Sequence, residues 1–131
     1  MIKLNEDVMR EMNKYLEGTT IEEILIKNRK IFHFQVLFTP KQLKQDIEVL
    51  DLSSRADHCL RRYGFNTLEK IVNGVYTKES ETSKRQLLKI RNLGRKTAEE
   101  ILMKLFYYQF TALPDSKKRA YMELIVMTNV A

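Results

Sequence analysis

The segment Arg91-Asn92-Leu93-Gly94-Arg95-Lys96-Thr97 places a glycine, two cations and a hydroxyl at the expected start of a helix. That arrangement suits a phosphate. Gly94 has no side chain, so a sugar-phosphate can approach its backbone closely. The amides of residues 94–97 open the helix without intrahelical partners and carry the positive end of its dipole. Arg95, Lys96 and Thr97 surround the same spot. Such contacts fix position on a nucleic acid without reading bases. The competing reading is an ordinary helical turn with solvated cations. A second set stands at Arg55, His58 and Arg61. Arg55 falls in the first turn of another expected helix, and its cation, with that of Arg61, could meet a polyanion or solvent. His58 can donate to a phosphate or base, against the plainer alternative of a surface histidine. Cys59 reads as a small core residue, with no histidine–acid pattern around it.

The same inventory argues against catalysis. Asp51 and Asp57 lie six positions apart, off a single helical face, and no carboxylate cluster with metal-binding spacing appears. Four glycines form no phosphate-cradling loop, and one cysteine with two histidines falls short of a zinc ligand set. The expectation is no enzyme, no cofactor and no metal.

The elements that must position these residues read as all helical. Asn5 caps a first helix that Gly18 ends, and Thr20-Ile21-Glu22-Glu23 has capping-box form before a second helix running toward Phe32. Phe32, Phe34, Val36 and Phe38 alternate as a strand would. A lone strand has no partner in a helical protein, so helix or irregular core is expected there. Its apolar character would also suit a contact between two copies. Thr39-Pro40-Lys41-Gln42 is a helix start with proline at the first position. Ser53 or Ser54 caps the helix bearing Arg55, with Ala56, Cys59, Leu60 and Tyr63 inward and Gly64 as its stop. Asn66-Thr67-Leu68-Glu69 starts a short helix to Val72 that Asn73-Gly74 breaks, and 74–83 reads as a loop. A helix over 84–90 joins through the Leu93-Gly94 turn to a long helix with Ala98, Ile101, Leu102, Leu105, Phe106 and Gln109 on its inner face. This is a helix-hairpin-helix pattern. Leu113-Pro114-Asp115 opens a last helix with Ala120, Tyr121, Leu124 and Ile125 inward.

The protein has 131 residues and a net charge of +6. Residues 1–50 hold eight basic and eight acidic residues, and 51–131 hold fifteen and nine, so the excess lies beside the two candidate sets. A basic segment next to a neutral one points to a polyanion partner, or to a solvated surface kept for solubility. No window suits a membrane span, and the N-terminus lacks a signal-peptide run, so a cytoplasmic setting is expected, nucleoid-associated if DNA is bound.

Asp51 to Glu69, followed by Ile90 to Lys96, resembles the C-terminal domain of the bacterial RNA polymerase alpha subunit, over roughly 46–107. The resemblance implies a compact SAM-like helical unit that binds A·T-rich minor groove and touches activators and sigma factor. Arg55 matches the family's groove-inserting arginine. His58 stands where the family usually has asparagine, Cys59 is retained, and Arg61 occupies a commonly basic position. Asn92, Gly94, Arg95 and Lys96 match, Thr97 replaces a serine, and Glu100 matches an acidic position that orients the site or meets protein partners. The loop 74–83 is longer than usual. The length leaves no room for the subunit's assembly domain, which 1–45 does not resemble, so a freestanding protein carrying the module is expected. Its parts would be a helical N-terminal extension (1–45), the DNA-binding module (46–110) and a C-terminal helix (111–131). The expected function is non-enzymatic DNA binding in transcription, with the N-terminal half as a dimer or partner surface. The alternative is an interaction module for RNA polymerase, sigma factor or a regulator, with weak or no DNA binding.

Overall fold

Capping signals set where the helices begin. The computed structural model describes residues 6–28, 32–75 and 94–130. Helix α1 (Glu6–Asn13) buries Met9 and Met12 and ends at Asn13, well before Gly18. Asn13 ends it by turning to the next element: its Oδ1 accepts from the Ile21 amide at 2.8 Å and its Nδ2 donates to Glu22 at 3.1 Å. Helix α2 (Ile21–Lys27) starts at Thr20, whose hydroxyl accepts from the Glu23 amide. The Glu23 carboxylate receives the Thr19 hydroxyl instead of closing a box.

Helix α2 does not reach Phe32. Residues 32–39 form no regular element, yet they bury side chains with period two. Phe32 and Phe34 are buried, with ring centroids 5.1 and 5.2 Å from that of Phe106. The strand-like segment finds its partners in side chains. Asn129 accepts from the His33 amide and donates to the His33 carbonyl, both at 2.9 Å. The Tyr121 hydroxyl donates to the Gln35 carbonyl at 2.8 Å, and the Leu37 amide donates to Gln109 at 2.6 Å. These bonds satisfy backbone groups that a sheet would otherwise pair. Phe32 and Phe34 are thus used in the protein's own core, while Leu37 stays exposed.

Helix α3 (Pro40–Leu43) carries a complete capping box between Thr39 and Gln42. A 3₁₀ turn (Ile47–Leu50) follows, capped by Asp46. Helix α4 (Ser54–Arg62) is capped by Ser53 and buries Ala56 and Leu60. It closes in a Schellman motif: the Phe65 amide reaches the Leu60 carbonyl at 2.8 Å, the Gly64 amide reaches Arg61 at 3.0 Å, and Gly64 has φ +82°. Tyr63, expected inward, is 42% exposed because it sits at this cap, beyond the helical stripe. Helix α5 (Leu68–Val75) is capped by Thr67, not Asn66, through the Lys70 amide. It runs through Asn73-Gly74, so the expected break and the start of the expected loop lie within helix. The remainder of that loop, the helix over 84–90 and the turn residues Arg91, Asn92 and Leu93 lie outside the described residues.

Helix α6 (Arg95–Ala112) is the central element. It packs against α4 and the 3₁₀ turn, and its Phe106 meets the extended segment. All six residues expected inward are buried. Helix α7 (Asp115–Val130) buries Tyr121, Met122 and Ile125. Ala120 is exposed, since the buried stripe is rotated toward Met122. The core is continuous from Met9 to Ile125. The protein is all-α. Among the described residues, no helix is long and apolar enough to cross a membrane.

Candidate nucleic-acid interface

The two helix starts that carry the candidate cations are joined by one carboxylate. Glu100, in the second turn of α6, accepts from the Ser53 amide at 2.6 Å and from the Ser53 hydroxyl at 2.8 Å. The same hydroxyl accepts from the Ala56 amide at 3.3 Å, which makes Ser53 the cap of α4. Arg55 lies two residues beyond this junction, and Lys96 one turn before it. The N-termini of α4 and α6 therefore stand side by side, with the positive ends of both dipoles at one edge.

Gly94 caps α6 with φ +81° and ψ 160°, and no side-chain bond caps it. That backbone conformation is essentially open to glycine alone. A Cβ there would meet nothing within 4 Å among the described residues, and the positive φ by itself favours glycine. The first helical bond runs from the Ala98 amide to the Gly94 carbonyl at 3.1 Å, which leaves the amides of residues 95–97 without intrahelical acceptors. Arg95 and Lys96 are exposed beside them. Thr97 is buried, at 9% exposure. It lies four positions before Ile101, on the core-facing stripe, so its side chain does not join the cationic rim.

On α4, Arg55 and His58 are exposed. Arg62, also exposed, falls on the same stripe at the i, i+3, i+7 spacing. The spacing from Arg55 and His58 is the signal that would have found it. Cys59 is half-buried against the core.

Arg61 is engaged within the protein. Its Nη1 and Nη2 donate to the two carboxylate oxygens of Asp46 at 3.1 and 2.7 Å, and its Nε donates to Asp57 at 2.7 Å. This fork, and then the Glu48 amide, hold the Asp46 carboxyl below the usual range. Hydrogen bonds to Asp46 and then Asp57 push the Arg61 guanidinium further up. The Asp57–Arg61 pair has helical i, i+4 spacing and is readable from sequence; the Asp46 contact depends on tertiary structure.

The family model for the C-terminal domain of the bacterial RNA polymerase alpha chain matches residues 38–106. The DNA-directed RNA polymerase subunit alpha of Desulforudis audaxviator (strain MP104C) is 40% identical over 65 residues, which are 50% of this protein and 18% of that one. The alpha subunits of Oceanobacillus iheyensis (strain DSM 14371) and Bacillus velezensis (strain DSM 23117) are each 42% identical over 65 residues, with the same coverage. The matched segment thus spans less than a fifth of the length of these curated relatives. No solved structure gives a significant match. With its two helix starts joined by Ser53 and Glu100, and the matched segment running from Phe38 to Phe106, the protein belongs to the family of the bacterial RNA polymerase alpha subunit's C-terminal domain.

Proposed function

We propose that this is a non-enzymatic, transcription-related protein that binds double-stranded DNA along A·T-rich minor groove. The junction of α4 and α6 at Ser53 and Glu100 carries this reading. It supports a single binding edge in which Arg55 enters the groove while Arg95, Lys96 and the amides opening α6 hold phosphate. His58 and Arg62 flank Arg55 and extend the contact along the backbone. Asn92 completes the set by family likeness. Glu100 orients the edge through Ser53. RNA polymerase is the assembly in which such a domain would work, and the cytoplasm, at the nucleoid, is the setting proposed for it.

The engagement of Arg61 and the burial of Thr97 weigh against two of the expected phosphate ligands. They favour one further reading, in which the module contacts RNA polymerase or sigma factor and holds DNA weakly. Fluorescence anisotropy with A·T-rich and G·C-rich duplexes of equal length separates the two. The DNA reading predicts tighter binding to the A·T duplex and loss of that preference in Arg55→Ala. Negligible binding to both duplexes by the wild type would sink it.

A further inference from the structure

Helix α4 carries Arg55 and His58 between two fixed ends. At its start, Ser53 is tied to Glu100 on α6. Near its end, Arg61 grips Asp46 with both Nη atoms and Asp57 with Nε. Asp46 is itself anchored: it caps the 3₁₀ turn through the Glu48 amide at 2.9 Å. It also lies in an isolated antiparallel bridge with Thr67, where the Ile47 amide donates to Asn66 and the Leu68 amide to Gln45. The Arg61 fork therefore links α4 to the turn before it and to the start of α5. The rigid five-donor fork of a guanidinium reaches all three oxygens at once, which a lysine ammonium cannot reproduce.

We infer that Arg61 is a positioning residue that sets the axis of α4, and so the aim of Arg55, without itself holding a phosphate. This rests on the DNA-binding reading above. The same interaction accounts for why an exposed arginine on a DNA-facing module is held by two carboxylates, which would repel a phosphate placed beside it.

The test compares wild type, Arg61→Ala, Arg61→Lys, Asp46→Asn and the double variant Arg61→Ala/Asp46→Asn. Each is confirmed folded by circular dichroism at the assay temperature. Affinities for A·T-rich and G·C-rich duplexes are measured across a salt series. Positioning predicts that each single variant lowers the A·T preference, that lysine does not rescue, and that the double variant is no worse than Arg61→Ala. The salt slope stays at the wild-type value throughout. A phosphate ligand predicts the reverse: Arg61→Ala reduces the slope by about 0.9 and weakens both duplexes alike, Arg61→Lys keeps the wild-type slope, and Asp46→Asn leaves binding intact or tighter. That result overturns the inference, as does an unchanged A·T preference in all variants, which would leave Arg61 a stabilising contact only. Wild type that binds neither duplex overturns the inference together with the DNA reading; a phosphate-like slope change overturns the inference alone.

Discussion

Replacing Glu100 by alanine tests the junction of the two helix starts. The substitution removes both bonds to Ser53, at 2.6 and 2.8 Å, and leaves the capping bond from the Ala56 amide in place. A hydrogen bond to a charged partner contributes about 1.5–3 kcal/mol where water is excluded. Ser53 is exposed and Glu100 half-exposed, so solvent screens the pair, and about 2 kcal/mol in total is expected. For a protein of this size that lowers Tm by about 6–8 °C. Glu100→Gln keeps one carbonyl acceptor and loses about half as much. Thermal unfolding followed by circular dichroism reads both, and Ser53→Ala/Glu100→Ala should lose less than the sum of its single variants, because the two residues share one interaction. A Glu100→Ala shift below about 1 °C, or strict additivity in the double variant, would refute the reasoning.

Three further outcomes follow from particular residues. Gly94→Ala forces a Cβ into a conformation reserved for glycine and should cost about 1–3 kcal/mol in chemical denaturation; an unchanged midpoint would contradict this. The Tyr107 hydroxyl is buried without a hydrogen-bond partner among the described residues, and burial, with the nearby Glu22 charge, pushes its ionisation well above the ordinary range. Tyr107→Phe should therefore leave stability unchanged or raise it by about 1 kcal/mol, and a clear loss would show that the hydroxyl is satisfied. The carboxyl of Asp46 is depressed in the folded protein, so its contribution is present above the ordinary carboxylate range and is lost as pH falls through its folded value. The Tm difference between wild type and Asp46→Asn should be constant from neutral pH down to about 5 and shrink at more acid pH; a difference that grows on acidification would contradict it.

Much of the fold was legible because local chemistry decides it. The Thr39–Gln42 box, the Ser53 cap, the Gly64 stop and the inner face of α6 stand where sequence spacing put them. The extended segment was not legible as such. Its alternation was correct, but its partners are Asn129, Tyr121 and Gln109, and no local pattern announces that side chains more than seventy positions away will replace a sheet. The helix over Asn73-Gly74 persists against local propensity, with Leu68 and Ile71 buried on its inner side. In the site, Arg55, His58, Arg95 and Lys96 are exposed, as a binding edge would require. Arg61 and Thr97 differ in setting because burial and a distant carboxylate are tertiary facts. The sequence offers Ser53 or Ser54 as the cap, and the second role of Ser53 as the tie to Glu100 emerges only when α4 and α6 meet.

The most direct test of the central claim is the salt dependence of wild-type binding to an A·T-rich duplex. If Arg55, Arg95, Lys96 and the opening of α6 together neutralise two to four phosphates, log K falls linearly with log salt, with a slope of about −2 to −4. A flat salt response, or no binding at low salt, would contradict the account.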